Sequence, residues 1–91
     1  MKNKDLKEFF DELYYGHDIT FEHKTTKYFI EHSMSGLELY QLENGEEGTL
    51  VDSLSCKNKD ELINNFLNKK MLPNNQSILD VFNEIKIIDI E

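Results

Sequence analysis

The sequence contains no arginine and no tryptophan, and its 91 residues include a single cysteine and a single proline. Arginine is the side chain best suited to bidentate contacts with phosphates and bases. Its absence and the net charge of −8 argue against direct binding of nucleic acid, because the phosphate backbone would be repelled. The lone Cys56 cannot form an internal disulfide, which agrees with a reducing compartment.

Long apolar segments are also missing from the chain. No apolar run approaches the roughly 18 residues that a membrane-spanning helix needs. The first seven residues, Met-Lys-Asn-Lys-Asp-Leu-Lys, have no apolar signal-peptide core, so we expect the protein to stay in the cytoplasm. With 38% hydrophobic residues, the chain is expected to fold as one domain over residues 1–91.

Residues 16–33 show the alternation of apolar and polar side chains that is typical of a β-hairpin. A two-residue loop at Lys24-Thr25 would gather the apolar residues on one face. That face would consist of Ile19, Phe21, Tyr28 and Ile30. On the other face, the same register places Glu22 opposite Lys27 as a favourable cross-strand ion pair.

A helix is predicted on each side of the strands. The first spans residues 3–15, with Asn3 as its N-cap and Gly16 just beyond its C-terminus.

Two more strands are predicted at residues 37–42 and 49–54, around the turn signal Asn-Gly at 44–45. A second helix is predicted to begin after an Asn58 cap, with Glu61 three residues later.

The last part of the chain is predicted to be mainly helical. Ser77 and Asp80 have the spacing of another cap, which would open a short helix. Its apolar stripe would be Ile78, Val81, Phe82 and Ile85. Residues 87–90 would form either a last short strand or a hydrophobic tail. The expected fold is α+β: an antiparallel meander of three or four strands, with the N-terminal helix and a C-terminal helical region packed on one face.

No motif indicates an enzyme or a cofactor. The hairpin register places His17 opposite His32, and Asp18 or Glu31 could lie nearby. Two histidines could bind a metal, but a metal site needs three or four converging ligands, and no metal-binding motif occurs. The alternative that this pair supports is a small metal-binding protein or a metal-dependent hydrolase.

Residues 28–56 carry six acidic side chains and no lysine. The acids are Glu31, Glu38, Glu43, Glu46, Glu47 and Asp52. One interpretation is solubility, since acidic surfaces are common. The other is a docking surface for a basic protein, in which spaced carboxylates imitate phosphates and Tyr15, Tyr28 or Tyr40 supplies an apolar anchor. The predicted partner-binding residues are these six acids and Tyr40. A second alternative is a structural subunit or homodimer joined through a sheet edge.

Four segments also carry a likeness to known proteins: residues 16–21, 27–30, 60–63 and 78–85. They resemble small uncharacterised α+β proteins of low-GC Gram-positive bacteria and of their phages and mobile elements. This resemblance implies a fold and a source, and no activity. In size and charge the chain is also similar to small acidic phage proteins such as anti-CRISPR inhibitors. The expected function is therefore a non-enzymatic acidic interaction module, either a nucleic-acid-mimicking inhibitor or an adaptor of a basic nucleic-acid-handling protein.

Overall fold

The computed structural model describes residues 5–34, 36–43 and 48–91. The elements follow in the order α1 (Leu6–Tyr14), β1 (Ile19–His23), β2 (Thr26–His32), β3 (Gly36–Leu42), β4 (Gly48–Ser55), α2 (Lys59–Asn68), a 3₁₀ turn (Phe82–Glu84) and β5 (Ile85–Ile90). The five strands form one sheet in the order β4-β3-β2-β1-β5, and every neighbouring pair is antiparallel. The α+β class is confirmed, but the prediction of three or four strands is wrong.

The fifth strand is β5, which pairs with β1 on the side away from the meander. Of the two alternatives for residues 87–90, the short strand is therefore confirmed. It begins at Ile85, so this residue lies in a strand and not in the predicted helix. Ser77 and Asp80 do cap each other: Asp80 accepts a hydrogen bond from the Ser77 N–H, and the Asp80 N–H donates to the Ser77 hydroxyl. Only turns and the short 3₁₀ segment lie between this cap and β5, because the residues from Ile85 onwards pair with β1.

The hairpin of β1 and β2 has the predicted register, with Phe21 opposite Tyr28 and Ile19 opposite Ile30. The loop is the predicted pair Lys24-Thr25, and Lys24 adopts a φ of 60°. A positive φ at the first loop position matches the right-handed twist of the two strands. Glu22 also lies opposite Lys27 as predicted, but these two described side chains form no ion pair within 4.0 Å.

Both ends of α1 are formed by local hydrogen bonds. The N–H of Gly16, at a φ of 90°, donates to Leu13 O, and the His17 N–H donates to Glu12 O. This is the Schellman arrangement, for which glycine is favoured. At the other end of α1 the cap is Asp5, whose carboxylate accepts from the Glu8 N–H. The predicted cap Asn3 lies outside the described residues.

The second helix agrees with its prediction. The Asn58 side chain accepts from the Glu61 N–H at 3.0 Å, and α2 ends before Pro73. Its predicted stripe is buried: Leu62, Ile63, Phe66 and Leu67. These side chains join Phe9 and Leu13 of α1 and alternate residues of the strands in one hydrophobic core. No helix among the described residues is both long and apolar enough to cross a membrane.

Candidate functional site

The sheet has a second face, made by the strand positions that alternate with the buried ones. Buried and partly exposed positions alternate along β1 and in the middle of β2 and β3. Successive side chains of a strand point to opposite faces, so the partly exposed positions share the face away from the core. We call this the outer face.

Two of the predicted acids meet on the outer face. Glu31 of β2 lies directly opposite Glu38 of β3, and both are partly exposed. The Tyr40 hydroxyl donates to Glu38 Oε1 at 3.0 Å. This hydrogen bond, together with partial burial and the charges of Glu38 and Glu31, raises the pKa of Tyr40. In the described part of the chain, neither glutamate forms an ion pair.

The other predicted acids lie elsewhere. Asp52 of β4 lies opposite Leu39, a core residue, and accepts a hydrogen bond from Lys69 Nζ at 3.0 Å. The bond from Lys69 and a second one from the Ser53 N–H lower the pKa of Asp52. Glu43 is exposed just after β3, whereas Glu46 and Glu47 lie outside the described residues. The structure therefore brings together Glu31, Glu38 and Tyr40, and pairs Asp52 with a lysine.

An apolar surface adjoins the two glutamates. We call it the outer patch, and it consists of Phe29, Tyr40, Leu42 and Leu50. Phe29 lies opposite Tyr40, and Tyr40 lies opposite Leu50, so these three form a row across β2, β3 and β4. Leu50 is 51% exposed, and the other three are half-buried.

Sequence reasoning identified only Tyr40 of this patch. Phe29 lies between the core residues Tyr28 and Ile30 on β2, and this alternation is the sequence signal that places Phe29 on the outer face. Of the other proposed anchors, Tyr28 is buried in the core, and Tyr15, the C-cap residue of α1, is exposed.

A glycine lets β4 approach the patch closely. Gly48 lies opposite Leu42 at the end of the β3–β4 ladder. A Cβ atom at Gly48 would lie 2.8 Å from Tyr40 Cβ and 3.2 Å from Leu42 Cδ2. Since real Cβ atoms do not approach a carbon at 2.8 Å, and no side-chain rotation moves Tyr40 Cβ, any larger residue would force the backbones of β3 and β4 apart at this point.

Lysines lie at the other end of the outer face, far along the strands from Glu31 and Glu38. Lys27 of β2 lies opposite Leu42 on one side and Glu22 on the other. Glu22 in turn lies opposite Lys86 of β5. Two lysines therefore flank one glutamate at this end, and Glu43 is exposed beside them just after β3, so charges of both signs lie here, whereas the Glu31–Glu38 pair carries negative charge only.

The histidines are engaged with acidic and carbonyl oxygens. His17 Nδ1 lies 2.6 Å from Glu12 Oε1, while His32 Nδ1 lies 3.0 Å from Asp18 Oδ1 and His32 Nε2 lies 2.8 Å from Leu13 O. His17 precedes β1, so the predicted His17–His32 pair is not part of the ladder. Among the residues that the structure describes, no cluster of three or more His, Cys, Asp or Glu side chains could hold a metal ion.

Both edge strands of the sheet are interrupted by a bulge. In β4, Asp52 pairs with Leu39 and Leu50 with Tyr40, so Val51 is the extra residue. In β5, Ile88 is extra in the same way between Ile87 and Asp89. A bulge on an edge strand hinders the pairing of that edge with another strand.

Comparison of the chain with protein-family models, with curated proteins and with solved structures found no match.

Proposed function

We propose that this chain is a non-enzymatic, acidic interaction module that binds a basic protein, in particular one that handles nucleic acid. The observation that carries the proposal is the Glu31–Glu38 pair, which has no cationic partner in the described part of the chain. Like charges at directly opposite positions of a sheet are destabilising. A cationic group of a partner would relieve this repulsion.

The mode of action that fits is mimicry of a nucleic acid. Spaced carboxylates present negative charges as a row of phosphates does, and Glu43, exposed just after β3, adds a charge to those of Glu31 and Glu38. Glu46 and Glu47, which follow in the sequence, complete the proposed set of partner-binding acids. An inhibitor of the phage type, acting in the cytoplasm as anti-CRISPR proteins do, or an adaptor would use such a surface. A low-GC Gram-positive source, which the sequence resemblance implies, would fit this setting.

The outer face is open to a partner in this proposal. We take α1 and α2 to cover the core face, because their buried side chains belong to the same core as the buried strand residues. The net charge of −8 would speed association with a basic protein at low ionic strength, and added salt would slow it. Asp52 would contribute less than the glutamates, since Lys69 already compensates its charge.

The experiment measures binding of the labelled protein to a panel of purified nucleic-acid-processing enzymes whose nucleic-acid channels are basic. Addition of the enzyme's own duplex substrate should displace the labelled protein from the enzyme. The double variant Glu31→Gln/Glu38→Gln should weaken binding by roughly tenfold or more, because charge-assisted contacts at the centre of the surface are lost.

The matched control is the double variant Glu8→Gln/Asp60→Asn. It removes the same number of charges, but from the first turns of α1 and α2. If the two double variants weaken binding equally, only overall charge matters and the assigned surface is wrong. Reversal of Glu43, Glu46 and Glu47 to lysine should then show how far the surface extends along the turn.

A further inference from the structure

We infer that a small cavity on the core side of the β1–β2 hairpin end binds a compact neutral compound that carries a primary carboxamide. The inference goes beyond the proposed function, because the cavity involves none of the docking acids of the outer face. Its volume is about 60 Å³. Its lining comes from the hairpin end and from the loop after α2, and it includes His23, Thr26, Tyr28, Pro73, Asn74 and Gln76.

Two buried side chains of the hairpin have unpaired polar atoms at this cavity. His23 is 5% exposed and Tyr28 is 3% exposed. His23 Nδ1 and the Tyr28 hydroxyl form no hydrogen bond with any residue that the structure describes. Every fully enclosed side-chain nitrogen and oxygen of a buried or half-buried described residue does have a hydrogen-bond partner. The two atoms are therefore reached by solvent, and the cavity that both residues line is the route.

Neighbouring groups hold both of these side chains in place. His23 Nε2 lies 3.0 Å from Glu84 Oε1, and the ring of Tyr28 stacks on that of Phe21 with the centroids 5.3 Å apart. Burial raises the pKa of Tyr28, so the hydroxyl keeps its proton and can donate. Polar atoms that are fixed before a ligand binds lose little conformational entropy on binding.

Two tight turns form the remaining walls of the cavity. Lys24, which also lines it, has a φ of 60° in the hairpin loop. Asn74 and Asn75 have φ values of 66° and 58°, in the region that asparagine tolerates better than most residues. Leu72 and Gln76 close this second turn, because the N–H of each donates to the carbonyl oxygen of the other. Local hydrogen bonds therefore set the shape of the cavity.

The hydrogen-bonding roles of the two unpaired atoms define the ligand. A carboxylate only accepts hydrogen bonds, so the Glu84 side chain accepts from His23 Nε2, and Nδ1 of the neutral ring is left as an acceptor. The Tyr28 hydroxyl is the donor. The ligand must therefore donate to one atom and accept from the other. A carboxylate has no donor and an amidinium has no acceptor, so neither ion fits.

The size of the cavity and its other lining residues favour a carboxamide over water or an alcohol. One water needs roughly 10–15 Å³, so the cavity has room for several heavy atoms. Its walls are mainly apolar, which suits the carbon part of a small compound. A carboxamide has two N–H donors, whereas a hydroxyl has one. The second donor can be used by Thr26, Asn74 or Gln76, whose side chains form no hydrogen bond among the described residues.

The experiment titrates the protein at neutral pH with three planar probes of the same shape: acetamide, acetate and acetamidinium. Binding is followed by NMR through the aromatic side-chain signals of His23 and Tyr28. Acetamide should bind about tenfold more tightly than either ion, because each ion loses one of the two hydrogen bonds. The net charge of −8 would by itself favour the cation. Propan-2-ol, which has a single donor, should also bind more weakly than acetamide.

A matched pair of variants locates the binding. Tyr28→Phe removes the hydroxyl and keeps the ring that stacks on Phe21, and it should weaken acetamide binding by about tenfold. Tyr40→Phe is the control, since it makes the same change on the outer face and should leave the affinity for acetamide unchanged. The spectrum of each variant without probe checks that it is folded.

The outcomes are independent of those of the proposed function. If no probe shifts the signals of His23 and Tyr28, the cavity holds water only and the inference is wrong. Tighter binding of acetate, or equal binding of propan-2-ol, would overturn the carboxamide assignment. Equal losses in Tyr28→Phe and Tyr40→Phe would place the binding outside the cavity. None of these results changes the test of Glu31 and Glu38, which lie on the other face of the sheet.

Discussion

Glu31 lies directly opposite Glu38 on the neighbouring strand, on the face of the sheet away from the core. A cross-strand pair of like charges destabilises a sheet, yet no lysine compensates it within the described residues. Another acid of the sheet does have a cationic partner, because Lys69 forms an ion pair with Asp52. This contrast is the basis for assigning function to the glutamate pair and gives the first prediction.

Glu31→Gln should raise the free energy of unfolding by about 0.2–1 kcal/mol, because it removes the repulsion from Glu38. It leaves the hydrogen bond from Tyr40 to Glu38 intact. Urea denaturation measures the change, and the gain should shrink at high salt, which screens the repulsion. Glu43→Gln, just outside the strand, is the control and should change stability by less than about 0.5 kcal/mol. A loss of stability in Glu31→Gln would show that Glu31 makes a stabilising contact.

Glu38→Gln should lower the pKa of Tyr40 towards its ordinary value, because the hydrogen bond to a carboxylate is the largest cause of the raised pKa. The folded pKa lies above the unfolded value of 10.0, so the stability that this tyrosine contributes is complete below pH 10 and is lost as pH rises through the folded pKa. NMR titration of ¹³C-labelled tyrosine, assigned with Tyr40→Phe, measures the change. An unchanged pKa in Glu38→Gln would contradict the assignment, and Glu43→Gln should have no effect.

Through Asp80, the stability of the folded protein depends on pH in the acid range. Its carboxylate accepts from Lys70 Nζ and from the Ser77 N–H, and these bonds lower the pKa of Asp80 to about 2. The stability that they contribute is present above the unfolded pKa of 3.8 and is lost as pH falls through about 2. Lys70→Met should raise the pKa of Asp80, measured by NMR of the side-chain carboxyl carbon. Lys57→Met is the control, and equal titration curves in wild type and Lys70→Met would refute the role of Lys70.

The same substitution at two isoleucines should distinguish the core from the sheet edge. Ile30→Val removes a methylene group from a side chain that is fully buried, and should cost about 0.5–1.5 kcal/mol of unfolding free energy. Ile88→Val changes the bulge residue of β5, which is 43% exposed, and should cost less than about 0.5 kcal/mol. Chemical denaturation measures both. Equal costs would show that Ile88 is buried in a contact with another molecule.

The predictions that succeeded concern residues whose environment is set by near neighbours in the chain. Asn58 caps α2 through the N–H of Glu61, three residues away, and Gly16 ends α1 through bonds within the same turn. The hairpin register also follows from local rules, since a two-residue loop and an alternating pattern admit one pairing in which the apolar residues share a face. Tertiary contacts stabilise these helix caps and this hairpin register, but local interactions are enough to specify them.

The predictions that failed concern segments for which local and distant partners compete. The Ser77–Asp80 cap forms as expected, but the free edge of β1 offers Ile85 and its successors a full ladder of backbone hydrogen bonds. Pairing with β1 therefore replaces the end of the predicted helix. The apolar residues 87–90 allowed a short strand to be predicted, but no pattern within residues 77–90 shows that the strand begins at Ile85 or that it pairs with β1. The length of β5 and the five-stranded sheet follow from that single pairing.

For the candidate site, the amino-acid sequence establishes the composition: a stretch of one-signed charge with a tyrosine at its centre. Which of these acids lie side by side follows from strand pairing and from the position of α2. Pairing of β2 with β3 places Glu31 beside Glu38, next to Phe29 and Leu50, whereas Lys69, the residue after α2, forms an ion pair with Asp52. Charge is a property of the chain, but the neighbours of a charge are set by strand order and by which face each residue occupies.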